Sequence, residues 1–536
     1  MSSVLKDVEP VVVLKYFEEI SKIPRGSRNT KKISDYLVSF AKEKNLEFYQ
    51  DDSNNVIIWK NASKGREDDE SVILQGHMDM VCEKEEDYLI DFLNDGLELE
   101  FKDNIISAKG TTLGGDDGIA LAYMLAILAD DGEISHPALE CVFTVDEEIG
   151  MLGAKALDKS KLSSKILLNL DSEDEGYLLV SCAGGVTSKF RLPIEREETI
   201  CIDSVSCESD GEDGTESVSG ESDGGDGTES VSTEKNCTDS RWKILEISVT
   251  GLLGGHSGVE IDTGRGNANI ILSRVLLEAL NKIDLRLIKI DGGLKDNAIP
   301  RKSSALIVVN KNDIDSFNSI VYDFKEIIKD EYWLTDPNVY IKVDEVNDIC
   351  LDENKNDCNK ILFPMSLDST KKVLSAIYLL PNGVIKKSFS IENLVQTSLN
   401  LGILETNDDE VILSYCIRSS VESEKKELRN RLYVMADLMN AKVDDEGDYP
   451  AWEYKNDSKL VSLMVKVFEK KYGREPVVQA LHAGVECGMF IGANKEMEAV
   501  SFGPDIKDIH TPSESMDVLS VQRTWEYLLD ILEEIH

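Results

Sequence analysis

The sequence predicts an α/β domain with a mixed, largely parallel sheet, which an α+β domain interrupts. Two observations predict this class. Short apolar runs alternate with helical patterns up to about residue 168, as in parallel sheets with crossover helices. Strand and helix patterns of another style follow, and the first style returns near the end. We therefore expect a first domain made of residues 1–190 and 446–536, and an inserted domain of residues 191–445.

The predicted elements follow in order from hydrophobic periodicity. Apolar residues repeat at helical spacing over Val11–Ile23, Lys31–Lys44 and Gly118–Ala129. Short runs rich in β-branched residues predict strands at Asn55–Trp59, Val72–Leu74, Cys141–Val145, Ile166–Leu168, Lys243–Val249 and Ala305–Val309. Two further helices are predicted at Lys459–Lys470 and Val518–Glu534.

Charge and composition exclude several classes of function. Among 536 residues, 101 acidic and 58 basic side chains give a formal net charge of −43, which disfavours binding to nucleic acids or anionic membranes. No apolar signal segment follows the start, and the longest apolar run is shorter than the roughly 20 residues of a membrane span. The ten cysteines include no Cys-x-x-Cys pair, so we expect reduced thiols and a cytoplasmic protein.

Residues 203–240 differ in composition from the rest. Glu208–Ser219 recurs thirteen residues later as Glu221–Ser232, and the segment holds twelve acidic residues and one lysine. Its Asp-Gly steps resemble a calcium loop, but the register and final glutamate of an EF-hand are missing. Because Gly, Ser and like charges cannot bury enough surface to offset ordering entropy, we expect a disordered loop.

Three predicted strands run directly into acidic residues or a histidine. The first strand leads to His77 and Asp79, the second to Glu147 and Glu148, and the third to Asp171. In an open parallel sheet, ligands gather at the carboxyl ends of the strands. The sequence therefore predicts that these side chains share one site.

A fourth motif, the glycine-rich turn before the third predicted helix, carries Asp116. Imidazole and carboxylates suit zinc, and a pair of metal ions needs a bridging carboxylate, for which Asp116 is the natural candidate. Asp79 lies on the same face as His77 and would hold its imidazole in the ligating tautomer. Adjacent Glu147 and Glu148 can divide the roles of ligand and general base. Taken singly, each motif also fits a polar pair, a solvated helix start or a turn.

Two other histidines stand in distinctive motifs. His256 lies in Gly-Gly-His-Ser-Gly, which fits either a flexible loop or an imidazole brought close to a developing oxyanion. His510 lies in Asp-Ile-His-Thr-Pro near the end of the sequence. The glycine-rich motif around His256 is not a phosphate loop, because no Gly-Lys-Ser/Thr follows.

With these motifs, the sequence closely resembles the aminoacyl-histidine dipeptidases, in the co-catalytic zinc family that includes carnosinases and carboxypeptidase G. The resemblance covers nearly the whole chain outside the acidic repeat. The stretches that carry it are His77–Val81, Gly110–Gly118, Asp146–Gly150, Asn169–Glu173, Cys182–Gly185, Gly254–Gly258 and Leu481–Gly488. It implies a zinc-peptidase catalytic domain, a lid formed by the inserted domain, and a homodimer.

The resemblance also implies a site for two Zn²⁺ ions per subunit, with Co²⁺ or Mn²⁺ as substitutes. His77 and Asp171 would bind one ion, and Glu148 and His510 the other. Asp116 would bridge the two ions, and the peptide bond that follows it would be cis.

The remaining roles come from the same resemblance. Glu147 would be the general base and Asp79 the partner of the histidine ligand, while His256 would reach from the lid to stabilise the oxyanion. Asn297 would contact the substrate, and Arg418 would grip its free carboxylate, a role that suits a guanidinium.

Three hypotheses of function follow. The first is hydrolysis of small dipeptides, of Xaa-His type or broader. The second is an amidohydrolase or deacetylase that acts on N-acyl amino acids with the same site. The third is a non-catalytic interaction protein that uses the acidic repeat as a tail, which the completeness of the metal-site motifs disfavours.

Overall fold

The computed structural model describes residues 4–197, 241–346 and 363–536, so the repeat at 203–240 lies outside the described residues. The elements of the first range are α1 (Val11–Ile20), α2 (Lys31–Glu43), β1 (Glu47–Gln50), β2 (Val56–Lys60), β3 (Val72–His77), β4 (Leu99–Lys102), β5 (Ile105–Ala108), α3 (Gly115–Ala129), β6 (Leu139–Thr144), α4 (Leu152–Ala156), β7 (Ile166–Asn169), β8 (Tyr177–Cys182) and β9 (Gly184–Pro193).

The second and third ranges continue the chain. The second contains β10 (Trp242–Thr250), β11 (Gly255–His256), α5 (Ala268–Leu280), β12 (Leu285–Gly292), β13 (Ala298–Ile299), β14 (Ser303–Asn310), α6 (Ile314–Glu331) and β15 (Tyr340–Glu345). The third contains α7 (Leu367–Leu379), β16 (Gly383–Lys387), β17 (Val395–Thr406), β18 (Glu410–Ser419), α8 (Glu422–Met439), β19 (Lys442–Tyr449), α9 (Lys459–Tyr472), β20 (Val477–Leu481), α10 (Cys487–Ala493), β21 (Glu498–Ser501), β22 (Ile506–Lys507), β23 (Ser515–Asp517) and α11 (Val518–Glu534).

The first sheet is buried on both faces. Its described strands run in the order β1-β2-β6-β3-β7-β21-β8-β20, with parallel pairing from β6 through β3 and β7 to β21. Val72 and Leu74 of β3 pack with α1, α2, α3, α9 and α11, whereas Ile73 packs on the opposite face near α4 and α10. Burial on both faces explains why β3 reads as a continuous apolar run.

The second sheet is antiparallel and is covered by helices. Its described strands run in the order β15-β10-β14-β12-β17-β18-β9-β19, with β16 beside β17. Helices α5, α6, α7 and α8 contribute to its core. The chain enters this sheet at β9, directly after β8, and leaves it at the end of β19. The domain limits predicted at 190/191 and 445/446 fall inside these two strands, and the division into domains stays a prediction.

The predicted fold class is confirmed: the structure is α/β, with a mixed first sheet that is parallel at its centre. Each predicted helix and strand is present, with ends that differ by a few residues, as for α1, which ends at Ile20 rather than Ile23. Within the described ranges, every helix is too short or too polar to traverse a bilayer.

Candidate metal centre and its surroundings

Three strand ends meet at one edge of the first sheet. β3 pairs in parallel with β6 on one side and β7 on the other, with His77 opposite Thr144 and Gln75 opposite Asn169. Because the strands are parallel, their carboxyl ends lie side by side. The histidine and acidic residues that follow them therefore face a common region, as the sequence predicts.

Two groups of potential metal ligands form in this region. His77 Nε2 lies 3.0 Å from Asp116 Oδ1 and 3.3 Å from Asp171 Oδ1. His510 Nε2 lies 3.2 Å from Asp116 Oδ2 and 3.0 Å from Glu148 Oε2. Within each group, the nitrogen and oxygen atoms that could bind a cation lie within 4.8 Å of one another. The structure thus brings together all five residues predicted as metal ligands, with Asp116 shared by both groups.

The turn before α3 sets the direction of the Asp116 carboxylate. Gly114 adopts a left-handed conformation with φ of 64°, which residues that carry a side chain rarely adopt. The Asp116–Asp117 peptide bond is cis, which confirms the expectation from the motif. Asp117 points elsewhere, and its Oδ2 accepts a 3.1 Å hydrogen bond from the backbone N–H of His77. The two adjacent aspartates therefore serve different contacts.

The site binds protons strongly because its carboxylates and imidazoles are buried together. Burial raises the pKa of Asp171 to about 6, although the adjacent His77 lowers it. Contacts with Asp116 and Glu148 raise the pKa of His510 to about 10. Burial lowers the pKa of His77, but its carboxylate neighbours outweigh that effect and raise it above its ordinary value. The cluster therefore stabilises positive charge at its centre.

The chemistry of these side chains fits divalent cations. Imidazole nitrogens and carboxylate oxygens are the donors that Zn²⁺ takes when sulfur is absent. Glu148 Oε1 is buried and has no hydrogen-bond partner in the part of the chain that the structure describes, so it is available to a cation. Three carboxylates this close repel one another unless positive charge lies between them.

Asp79 connects the histidine to the turn that carries the two glutamates. Its carbonyl oxygen and carboxylate Oδ1 lie 3.1 Å and 3.5 Å from His77 Nδ1. The same carboxylate accepts hydrogen bonds from the backbone N–H groups of Glu147 at 3.0 Å and Glu148 at 3.4 Å, and from Ser27 Oγ at 2.8 Å. Asp79 therefore orients the imidazole and the glutamate turn together.

The Glu147 carboxyl is in an environment that favours its protonated form. Burial raises its pKa well above the ordinary value, and the nearby Asp171 and Glu486 carboxyls act in the same direction. His77 opposes this shift. A carboxyl in this setting can accept a proton and hold it, as a general base requires.

His256 lies on the second sheet's side, in the short strand β11, which pairs with β13. Its Nδ1 accepts hydrogen bonds from the backbone N–H groups of Gly258 and Val259, both at 3.2 Å. Burial and the charge of Arg418 lower its pKa. Because Nδ1 accepts from two backbone N–H groups, the ring proton lies on Nε2, which can donate a hydrogen bond. In the described ranges, no hydrogen bond or ion pair joins it to the metal-ligand groups.

Arg418 and Asn297 lie near His256 and outside the metal-ligand groups. Arg418 is 7% exposed on β18, its Nη1 donates to the Tyr449 hydroxyl at 3.0 Å, and its Nε is buried without a partner. The Asn297 side chain is exposed. The backbone carbonyl of Asn297 accepts a 2.9 Å hydrogen bond from the backbone N–H of Ser257, next to His256. The structure thus groups the two predicted substrate-binding residues with the predicted oxyanion donor.

Comparison with known proteins identifies the family. The sequence model described as "Peptidase family M20/M25/M40" matches residues 73–534. The chain belongs to this peptidase family. The resemblance that the motifs predicted is confirmed at this level, and the protein is a metallopeptidase. The two donor groups described above supply the candidate metal-binding residues of this M20 peptidase.

Full-length relatives support the same assignment. The M20 peptidase is 34% identical over 533 residues to the cytosol non-specific dipeptidase of Escherichia coli (strain K12), with 99% of each chain covered. The crystal structure of aminoacylhistidine dipeptidase from Vibrio alginolyticus matches with a TM-score of 0.84 and 31% identity, covering 100% of this chain and 99% of the other. Aminopeptidase PepT from Bacillus cereus, at 15% identity and a TM-score of 0.51, shares the fold.

Sequence reasoning missed several residues of the M20 site. Arg25, Asp117 and Glu514 hold the backbone of the ligand-bearing loops, and the predictions assign them no role. Glu486, which lies in the Leu481–Gly488 stretch and has no role assigned from the sequence, is buried beneath the strand ends. A signal was present for Glu514, which follows His510 by four residues in His-Thr-Pro-Ser-Glu, but its partners are backbone atoms that the sequence does not reveal.

Proposed function

We propose that this M20 peptidase hydrolyses dipeptides with two Zn²⁺ ions held about Asp116. One observation carries the proposal: the two oxygens of Asp116 face different histidines, with Oδ1 3.0 Å from His77 Nε2 and Oδ2 3.2 Å from His510 Nε2. A carboxylate placed between two donor groups is what a pair of cations sharing one ligand requires. Asp171 would complete one group and Glu148 the other.

The surrounding side chains supply the proton transfer. When bound, the zinc ions would polarise the scissile carbonyl and lower the pKa of the attacking water. Glu147 would take a proton from that water and return it to the leaving amine. Its burial, which raises its pKa, supports this role. Asp79 would keep Glu147 in place through its hydrogen bond to the Glu147 backbone N–H.

The residues of the second sheet would bind the substrate. His256 would donate its Nε2 proton to the developing oxyanion, because its Nδ1 is already engaged by two backbone N–H groups. Arg418 would bind the free carboxylate of the dipeptide, since its buried Nε has no hydrogen-bond partner among the described residues. Asn297, adjacent to the His256 strand, would contact the peptide backbone.

The names of the full-length relatives support a dipeptide substrate. Both the Escherichia coli and the Vibrio alginolyticus proteins are called dipeptidases, and the similarity covers nearly the whole chain. We infer the same substrate class here, with the Xaa-His preference as a narrower proposal. The cytoplasmic location, the homodimer and the role of the second sheet as a lid stay predictions.

The test compares two substrates on protein of known metal content. Chelator-treated protein is reloaded with Zn²⁺, its metal content is measured by elemental analysis, and Xaa-His dipeptides are compared with N-acetyl-histidine. We expect two zinc ions per chain in the reloaded protein. The reloaded protein should hydrolyse the dipeptide, and the chelator-treated protein should not. Turnover of the acetyl substrate alone would favour the amidohydrolase hypothesis. Absence of bound metal, with Glu147→Ala unchanged in rate, would favour the non-catalytic one.

A further inference from the structure

Glu514 places a buried carboxylate against the turn that carries Asp116. It lies in the loop between β22 and β23 and is 2% exposed. Its two oxygens accept hydrogen bonds from four successive backbone N–H groups, those of Leu113 (2.9 Å), Gly114 (3.1 Å), Gly115 (2.8 Å) and Asp116 (3.4 Å). One side chain thus satisfies the whole run of donors that leads into the shared aspartate.

Gly114 is the N-cap of α3, and Gly115 and Asp116 are its first residues, so α3 cannot satisfy their N–H groups itself. The first N–H groups of a helix have no partner in the preceding turn, and a negative charge there also interacts favourably with the helix dipole. Arg25 also packs closely against this turn: a Cβ added to Gly114 would lie 2.6 Å from Arg25 Nη2. The turn therefore has little freedom to move without breaking its contacts with Glu514.

Glu514 and His510 belong to the same short loop. The backbone N–H of Glu514 donates to the carbonyl of Thr511 at 3.1 Å, which closes a turn between them. His510 Nε2 reaches Asp116 Oδ2 at 3.2 Å, while the Glu514 carboxylate holds the backbone of the same aspartate. This loop therefore contacts Asp116 twice, once through a potential ligand and once through its backbone.

Arg25 holds the turn from the other side. Its guanidinium is 1% exposed, and Nη2 donates to the carbonyl of Gly114, whose N–H donates to Glu514. Nη1 donates to the carbonyls of Met78 at 3.0 Å and Asp79 at 3.2 Å. Burial lowers the pKa of the Arg25 guanidinium, and the nearby Glu514 carboxylate opposes that shift.

We propose that Glu514 is a positioning residue that sets the distance between Asp116 and His510, and thereby the cation affinity of the group formed by Asp116, Glu148 and His510. The inference rests on the proposed two-cation site. Glu514 acts through backbone N–H groups and not on the reacting atoms. Loss of the Glu514 carboxylate should therefore first weaken binding of the cation held by Asp116, Glu148 and His510. The hydrolytic step should change only as a consequence of that weaker binding.

The test measures cation binding directly on the full-length, chelator-treated protein. Glu514→Gln replaces one accepting oxygen by an NH₂ group that faces backbone donors, and Glu514→Asp keeps the charge but shortens the reach. Glu140→Gln is the matched control, because Glu140 is also a buried carboxylate that accepts backbone hydrogen bonds, from Ser163 and Ser164. It lies near the start of β6, at the opposite end from the site.

Isothermal titration with Zn²⁺ and the visible absorption of the Co²⁺-loaded protein are the readouts, with thermal unfolding of the metal-free protein as a measure of structural damage. In Glu514→Gln we expect the affinity of the group formed by Asp116, Glu148 and His510 to fall by about 10–100-fold and the Co²⁺ spectrum to change. The second cation should lose less affinity, and it should lose some because Asp116 belongs to both groups. Glu140→Gln should lower the unfolding temperature without changing either affinity. Glu514→Asp should lie between wild type and Glu514→Gln, and it replaces that variant if the latter does not fold.

Two outcomes would overturn the inference. Unchanged affinities and an unchanged Co²⁺ spectrum in both Glu514 variants, in a wild type that binds two cations, would refute the positioning role and leave the proposed function intact. A wild type that binds fewer than two cations would refute the two-cation site itself, and the inference with it.

Discussion

Gln75 on β3 lies directly opposite Asn169 on β7, and Asn169 Nδ2 donates a 2.6 Å hydrogen bond to Gln75 Oε1. Gln75 Nε2 donates in turn to Glu486 Oε2 at 2.5 Å, and Thr144 Oγ1 donates to the same oxygen at 2.6 Å. These buried side chains form a polar layer beneath the metal-ligand groups. Gln75 and Asn169 each lie two residues before a ligand, His77 and Asp171, so the layer supports the strand ends from below.

The first prediction concerns Glu486→Gln. Both hydrogen bonds to Glu486 end on Oε2, so an amide oxygen in that position can keep them. Burial raises the pKa of Glu486 to about 7 from an ordinary value of 4.5. The folded wild type therefore binds this proton more tightly than the unfolded chain, and it loses stability as pH rises from about 4.5 to about 7. The variant has no such loss.

We therefore expect Glu486→Gln to gain stability relative to wild type between pH 4.5 and pH 8, by on the order of 3 kcal/mol at most. Thermal unfolding of the metal-free proteins across this range measures the difference. Glu486→Ala is the control: it removes the acceptor of the short hydrogen bonds from Gln75 and Thr144, which costs about 1–3 kcal/mol at every pH. Each donor then keeps only a longer contact, Gln75 Nε2 with Thr144 Oγ1 at 3.2 Å and Thr144 Oγ1 with the Gly76 carbonyl at 3.4 Å. A difference between Glu486→Gln and wild type that does not change with pH would contradict the prediction.

The second prediction concerns Glu147→Gln. An amide cannot accept the proton of the attacking water, so we expect kcat to fall by about 10²–10⁴-fold. The backbone N–H of residue 147 still donates to Asp79, so cation affinity should stay close to that of wild type. Steady-state kinetics and zinc titration are the measurements, with Glu140→Gln as a variant expected to keep activity. Loss of zinc binding in Glu147→Gln would assign the residue to the metal ligands instead.

The third prediction concerns metal removal. Chelation leaves Asp116, Asp171 and Glu148 close together without a neutralising cation, so the unfolding temperature should fall. Zn²⁺ at about 1,000 times its Kd should restore about 4 kcal/mol for each ion bound. Calorimetry with and without chelator measures the shift. Asp116→Asn should reduce it strongly, because this variant weakens the ligand common to both groups.

The fourth prediction concerns Arg418→Met. If Arg418 binds the free carboxylate, the variant should raise KM for a dipeptide by about 10–100-fold, since hydrogen bonds to charged groups contribute about 1.5–3 kcal/mol. A dipeptide amide lacks that carboxylate and provides the control, because its KM should change little between wild type and variant. Tyr449→Phe, which removes the hydroxyl that Arg418 contacts, should have a smaller effect on the dipeptide. Equal KM changes for both substrates would exclude carboxylate recognition.

The fifth prediction concerns His256→Ala. Removing a donor to the developing oxyanion should lower kcat by about 10²–10³-fold with a smaller change in KM. Glu260→Gln is the comparison, because Glu260 accepts a 2.7 Å hydrogen bond from the backbone N–H of His256 without touching its imidazole. A KM effect without a kcat effect in His256→Ala would assign this residue to substrate binding alone.

The fold was predictable where one physical signal dominates. The apolar pattern of α11 (Val518–Glu534) and of β3 (Val72–His77) is strong enough to locate them within a few residues. β19 (Lys442–Tyr449) was not predicted, because its acidic residues are rare in strands. It is an edge strand, and Asp444 and Glu446 pair with basic residues of β9, which makes an acidic strand stable there.

The sequence by itself determined the residue types at the strand ends. A histidine or carboxylate after each of three apolar strands is enough to predict that His77, Glu148 and Asp171 meet, because parallel strands end at the same edge. The glycine-rich turn before the third predicted helix added Asp116, and the motif resemblance added His510. These predictions needed only local pattern and the geometry of a parallel sheet.

Only the tertiary structure decided which atoms meet and what holds them there. The assignment of one Asp116 oxygen to each histidine, and the four N–H groups held by Glu514, depend on contacts between segments about 400 residues apart. The partners of Glu514 and Arg25 are backbone atoms, which every residue possesses and no sequence pattern marks. For that reason the proposed ligands could be predicted from the sequence, whereas the side chains that hold their backbone required the fold.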